Sequence, residues 1–177
     1  KVRLESLQAE DSLNIVNSNF TIKNSEISNS LSDAIDFDFS NGNIDNLKFK
    51  NIGNDGLDFS GSISNIKNIS IENVGDKGIS IGENSEINIE NISIKKSLIG
   101  IAVKDDSILE GSKLKINKSF AGLANYNKKD WFGGGKSILN KVSINDTLNK
   151  FINEKGSFMS INGKTIDNNQ TNVFEKL

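Results

Sequence analysis

Asp36 and Asp58 stand 22 residues apart in closely matching contexts, Ile35-Asp36-Phe37-Asp38 and Leu57-Asp58-Phe59-Ser60. If the two segments are neighbouring parallel strands, their carboxylates lie about 5 Å apart. That separation is compatible with a retaining glycosidase pair or with two ligands of a shared Ca2+ ion, and Asp38 is a third candidate acid two residues along the first strand. Like charges this close raise one pKa or recruit a cation. The same carboxylates also read as solvated strand residues beside a corner at Asp33 and Asp55. The neighbouring column runs Asp38, Ser60, Gly82, Lys104 and Tyr126, with Lys128, Lys129 and Trp131 just beyond. Such a basic and aromatic corner suits an anionic polysaccharide, whose charge would meet the amines while a sugar face stacks on the indole. A packed loop whose Trp131 and Phe132 cover the last rung would account for the same residues without any ligand.

Composition removes most other chemistry. The chain has 177 residues with no His and no Cys, so imidazole bases, Ser-His and Cys-His nucleophiles, thiolate metal sites and disulfides are excluded. A net charge of -2 gives no reason to expect nucleic acid. That balance hides a polarity: Asp33 to Ser60 holds six acids against two Lys, whereas Lys95 to Lys141 holds ten Lys against four acids. Screening over about 8 Å at physiological salt limits such a dipole to local steering. Gly133-Gly134-Gly135 lacks the Gly-Lys-Ser/Thr frame and following helix of a phosphate loop. No apolar run is long enough for a transmembrane helix. An opening Lys1 without a leader-like segment fits a processed secreted protein or an excised region.

The elements that would position these residues follow from a repeat. Asp33–Asn54 aligns without a gap on Asp55–Asp76, and the frame of about 22 residues extends back to Asp11 and forward to Phe120, with one-residue drifts near Ile87. Fixed periods of this length signal solenoids. Apolar residues fall into columns: Leu13, Ile35, Leu57, Ile79, Ile101, Leu123; then Ile15, Phe37, Phe59, Ile81, Val103; then Ile27, Phe49, Ile71, Ile94, Ile116. Within a repeat they alternate with polar residues, as in Ile35-Asp36-Phe37-Asp38-Phe39, the period of strands with one buried face. Asn columns (Asn24, Asn46, Asn68, Asn91 and Asn29, Asn51, Asn73) mark sharp turns, because Asn tolerates a left-handed backbone and its amides can bond along the stack. Gly56, Gly78, Gly100 and Gly122 mark a corner of positive φ or close packing. These columns also account for much of the excess of Asn and Ile, at 27 and 25 residues. The expected fold is all-β, a right-handed single-stranded parallel β-helix of about 22 residues per rung, six rungs making a prism of roughly 29 Å.

Regularity breaks twice. Leu114 and Val142 are 28 residues apart, so one coil carries six extra residues, placed in a loop over 127–136 that holds the only Trp. Insertions at solenoid corners are common sites of binding. Beyond Asp146 the frame is lost, and Lys150-Phe-Ile152, Ser157–Ile161 and the Asn162-Gly163 turn before Lys164-Thr-Ile166 read as a small capping hairpin. The division is therefore rungs over 1–146 and a capping hairpin and tail over 147–177. Val2, Leu4 and Leu7 supply only part of a first rung, which points to a chain that extends upstream.

The runs Ser32–Ser40, Asn54–Gly61, Asp76–Glu83 and Gly100–Asp105 resemble the right-handed parallel β-helix of the pectate-lyase-like superfold, over about residues 11–146. More narrowly they are similar to β-helix regions of bacterial secreted or surface proteins, some of which carry a spore-coat-H-like kinase domain. The resemblance implies a secreted or cell-surface, carbohydrate-linked setting and transfers no catalytic residue. Three functional expectations follow. One is a β-helix region binding carbohydrate, or scaffolding a neighbouring domain of a larger chain. Another is a polysaccharide lyase, epimerase or glycosidase acting on an acidic glycan through Asp36, Asp58 and Asp38, with Lys104 and Tyr126 near the sugar. The last is a structural spacer or filament subunit. No cofactor is required, Ca2+ at Asp36 and Asp58 being the one ion the pair could take, and no nucleic-acid partner or membrane span is expected.

Overall fold

A computed structural model describes residues 2–173; the last four residues of the expected tail lie outside the described range. The strands in chain order are β1 (Arg3–Glu5), β2 (Asn14–Val16), β3 (Asn19–Ser30), β4 (Ile35–Asp38), β5 (Asn41–Ile52) and β6 (Leu57–Ser60). They continue with β7 (Ile63–Val74), β8 (Lys77–Gly82), β9 (Glu86–Lys95), β10 (Ile99–Lys104) and β11 (Ile108–Asn117). The last are β12 (Ala121–Tyr126), β13 (Lys136–Asn145), β14 (Asn149–Asn153), β15 (Phe158–Ile161) and β16 (Lys164–Thr165). No helix occurs among the described residues.

Each coil contributes one long and one short strand. The odd-numbered strands, closed by β16, form a nine-stranded sheet, and β2 to β14 form a seven-stranded sheet. Every pairing is parallel except β15 with β16. The result is a β-solenoid of about 7 turns with about 22 residues per turn. Registers follow the sequence columns: Ile35 faces Leu57, then Ile79, Ile101 and Leu123. Ile27 likewise leads through Phe49, Ile71, Ile94 and Ile116 to Ile144. These rows fill the space between the sheets, where Phe37 stacks on Phe59 at 4.7 Å and 6° and packs against Phe20 at 4.6 Å. Each such buried side chain contributes about 1.5–3 kcal/mol relative to exposure.

Corners use local chemistry. All seven Asn of the two columns have positive φ, between 52° and 62°. Their amides form ladders, from Asn51 Nδ2 to Asn29 Oδ1 and from Asn73 Nδ2 to Asn51 Oδ1, both 2.9 Å. The other ladder is broken at Asn68, whose amide donates to Asp45 instead of Asn46. Lys113 and Lys141 take the same left-handed conformation further along the first column, and Lys96 and Lys118 along the second, so the coil imposes the bend even where Asn is missing. The Gly56–Gly122 column is required by close approach, not by φ: a Cβ on Gly100 would sit 2.5 Å from the Gly122 carbonyl oxygen and 2.7 Å from Ile116 Cδ1. A buried serine ladder forms a further corner, each hydroxyl accepting the amide of the serine one rung before, as in Ser40 N–H to Ser62 Oγ and Ser62 N–H to Ser85 Oγ.

Two boundaries differ from the sequence reading. The coil continues past residue 146, since β14 pairs in parallel with β12 and β15 with β13. The hairpin is confined to β15 and β16 around Asn162 and Gly163, both at positive φ as a two-residue turn demands. Phe39 also leaves the alternation: β4 ends at Asp38, the backbone turns left-handed at Phe39 (φ 50°), and the ring is 63% exposed instead of joining the core.

Candidate functional site

The outer face of the short sheet carries the candidate acids. Asn14, Asp36, Asp58 and Ser80 are successive partners on β2, β4, β6 and β8, and Val16, Asp38, Ser60 and Gly82 form the adjacent row. Asp36 and Asp58 are therefore direct neighbours on strands about 4.8 Å apart. All three acids are half-buried. Burial, followed by the charges of Asp38, Asp58, Asp11 and Asp33, pushes the Asp36 carboxyl up to about 7. Asp38 is raised as well, by burial first and then by Asp58 and Glu83. Asn14 Nδ2 donates to both Asp11 and Asp36, each at 3.4 Å.

Asp33 and Asp55, next to this face, have structural work. Asp33 Oδ1 accepts the amide of Asp55 at 2.7 Å, and Asp55 Oδ1 accepts that of Lys77 at 2.9 Å, so each carboxylate staples the start of the next rung. Lys77 also pairs with Asp55 at 3.6 Å and with Asp76. Burial outweighs these partners and lifts the Asp55 carboxyl to about 7.

Later rungs of the face are covered. Ser80 and Ala102 are fully buried, and Ile99, Ala102, Ala121, Ala124, Tyr126, Ile152 and Val173 form a second apolar cluster on the outside of the sheet. Glu154 ties down the cover, accepting the amides of Asn127 at 2.7 Å and Val173 at 2.9 Å. The three acids thus stand at the foot of a step.

Of the expected basic and aromatic corner, Tyr126 is 1% exposed, and its phenol is pushed well up by burial. Lys129 pairs with Glu83, and the amides of Lys128 and Lys129 both donate to the buried Asp105 Oδ1, at 2.8 and 2.9 Å. The insertion loop is therefore pinned along the corner that follows the short strands. Trp131 remains 77% exposed, tilted against Phe132 at 6.2 Å. Lys104 behaves differently. It is 7% exposed, its side chain makes no hydrogen bond or ion pair among the described residues, and its stem lies over Gly82, with Cε within 3.3 Å of where a Cβ there would be. Burial lowers its pKa, and the largest opposing charge is that of Asp58. The Lys104 stem thus lies over Gly82 in the row beside Asp58 and Ser80, with Asp58 the largest opposing charge and Lys128 of the loop the next charge acting on it.

Among the described residues no three acidic side chains converge as a metal-binding group. Ca2+ at Asp36 and Asp58 would need most of its ligands from a bound molecule or water. Depressions lie elsewhere: about 520 Å³ among Asn19, Phe20, Asn41 and Asn65 on the long sheet, about 490 Å³ among Val2, Leu4, Leu13 and Ile22 at the mouth of the coil, and about 420 Å³ among Asn127, Glu154 and Asn172 beside the tail. Asp36 and Asp58 line none of these three and stand on the outer face of the short sheet.

Sequence reasoning missed the Asn125 node, because Asn125 occupies the apolar column of Phe37, Phe59, Ile81 and Val103. Its amide donates to the carbonyls of Phe158 at 2.8 Å and Gly135 at 3.3 Å, while its oxygen accepts from Ser137 Oγ at 2.8 Å, closing the core beneath the loop. The signal was a polar residue in an apolar row. No helix of the described chain is long and apolar enough to cross a membrane. In comparisons with known proteins, the chain matches no family model and no curated protein.

Proposed function

We propose that the chain is a glycan-binding β-solenoid region of a secreted or cell-surface protein, holding a neutral, hydroxyl-rich saccharide against Asp36, Asp38 and Asp58. The observation that carries this reading is the half-buried carboxylate ladder on adjacent rungs, with the Lys104 side chain laid over Gly82 in the adjoining row. Carboxylates accept hydrogen bonds from sugar hydroxyls and Lys104 donates, without a change of rotamer in the rigid sheet being needed. An acidic glycan is disfavoured, since this surface repels it and Lys129, its expected partner, is engaged by Glu83. The resemblance to pectate-lyase-like β-helices of secreted and surface proteins supports the extracellular carbohydrate setting.

An outer sheet face favours holding a ligand over transforming it, because it does not exclude water. One observation favours the glycosidase reading: Asp36, pushed up to about 7, keeps a proton near neutrality beside Asp58, as a general acid and its partner would. The test is retention of the chain on immobilised glucan, mannan, xylan, galactan and polygalacturonate. Retention on a neutral glycan, weakened tenfold or more by Asp36→Ala with Asp58→Ala, is expected. Retention on polygalacturonate alone, or on none, overturns the proposal. Turnover of a retained glycan, lost in Asp36→Asn while retention survives, would establish the enzyme instead.

A further inference from the structure

We infer that Phe39 is a sugar-stacking residue, its exposed ring forming the apolar floor of a subsite whose polar wall is Asp38, Asp58 and Lys104. This rests on the glycan reading above and names the element that reading lacks, since carboxylates alone do not select a sugar.

Phe39 follows Asp38 directly, and its amide donates to the Ser60 carbonyl at 2.8 Å, which fixes it at the rim of the acid face. The equivalent corner positions on neighbouring rungs are Asn17, Gly61, Glu83 and Asp105, all at positive φ. Asn, Gly and Asp are the residues that suit this conformation, whereas a bulky aromatic there is strained. Gly61 is also the residue that makes room: a Cβ there would lie 2.6 Å from Phe39 Cδ1 and 2.8 Å from Cε1, so the ring packs over Gly61 on the next rung. The ring nonetheless stays 63% exposed. A pyranose has an apolar face of C–H groups and a rim of hydroxyls, and it fits an aromatic ring beside carboxylates.

The second, independent sign of a ligand is Lys104. Lys104 is 7% exposed, its side chain makes no hydrogen bond or ion pair among the described residues, and its stem is directed back over Gly82, so its ammonium is open to an added acceptor. A saccharide hydroxyl that accepts from Lys104 and donates to Asp58 supplies one. A covering peptide or a second protein would also hide Phe39, yet it would meet the acids with basic side chains, for which the ammonium of Lys104 is a repulsive neighbour.

The experiment compares the wild type with Phe39→Asn and Phe39→Tyr on the glucan, mannan, xylan and galactan surfaces. Asn suits the left-handed corner, as at Asn17, so Phe39→Asn is expected to fold with an unchanged or higher melting temperature. Its affinity for the retained glycan is expected to fall about tenfold, while Phe39→Tyr keeps it. Equal affinity of Phe39→Asn and wild type would overturn the assignment of Phe39 and leave the glycan reading standing. No binding by wild type to any neutral glycan would overturn both.

Discussion

Replacing Asp36 by Asn tests the electrostatics of the acid face directly. The carboxyl moves from an ordinary 3.8 to about 7 in the folded chain, through burial first and then Asp38, Asp58, Asp11 and Asp33. The folded state therefore binds this proton more tightly than the unfolded state. Its stability contribution falls as pH rises from about 4 to about 7, and it is level outside that window. A fully buried group shifted so far would cost on the order of 4 kcal/mol at high pH. Asp36 is only half-buried, and solvent screening reduces the cost to roughly 1–2 kcal/mol. The replacing carboxamide is neutral at every pH and close in shape. The expected result in urea unfolding is a variant about as stable as wild type at pH 4 and more stable by roughly 1–2 kcal/mol at pH 8. Taking the difference between the two proteins removes the titration of Asp55, while the coupling of Asp36 to Asp11, Asp33 and Asp38 remains part of the difference. A difference that stays constant from pH 4 to pH 8 would refute the reasoning, and so would a variant less stable at pH 8.

Two further predictions probe the coil. Gly100→Ala places a methyl 2.5 Å from the Gly122 carbonyl and 2.7 Å from Ile116 Cδ1, and a rung backbone must move to admit it; a loss of about 1–3 kcal/mol by urea unfolding is expected, whereas the same change at Gly156, where a Cβ meets nothing within 4 Å, involves only its positive φ of 95° and tests the backbone cost alone. Asn125→Ala strands Ser137 Oγ and the Phe158 carbonyl in a buried site. Destabilisation of about 2–4 kcal/mol and faster proteolysis within 127–136 are expected, and resistance equal to wild type would show that Asp105 and Glu154 hold the loop by themselves.

Much of the fold was legible because a solenoid repeats its instructions. Ile35, Leu57, Ile79, Ile101 and Leu123 recur at one spacing, and that spacing is the circumference of the coil, so register follows from the sequence without knowledge of long-range contacts. Phe39 shows the limit of that reasoning. By alternation it belongs to the core with Phe37, but a left-handed residue resets the alternation, and nothing in Asp38-Phe39-Ser40 marks which residue turns. The end of the coil was missed for a related reason: Asn125 and Asn153 replace apolar residues in an inward row, so β14 and β15 look like loss of the frame although they are its last rungs.

The site divides in the same way. Strand pairing made Asp36 and Asp58 neighbours, and that could be read from their spacing, because parallel in-register strands convert an interval along the chain into adjacency in space. Which charged groups remain available could not be read so. Lys104, Tyr126, Lys128, Lys129 and Trp131 form one cluster along the chain. Packing buries Tyr126 beneath the cluster around Val173, engages Lys129 with Glu83, lays Lys104 over Gly82 and leaves Trp131 in solvent. The sequence alone determined the coil, its period, its core rows and its Asn corners, since these are local and repeated. Only the tertiary structure decided which part of the outer face is covered and which acids stay half-open, because the insertion loop and tail that cover it occur once, and their contacts span rungs in ways no period encodes.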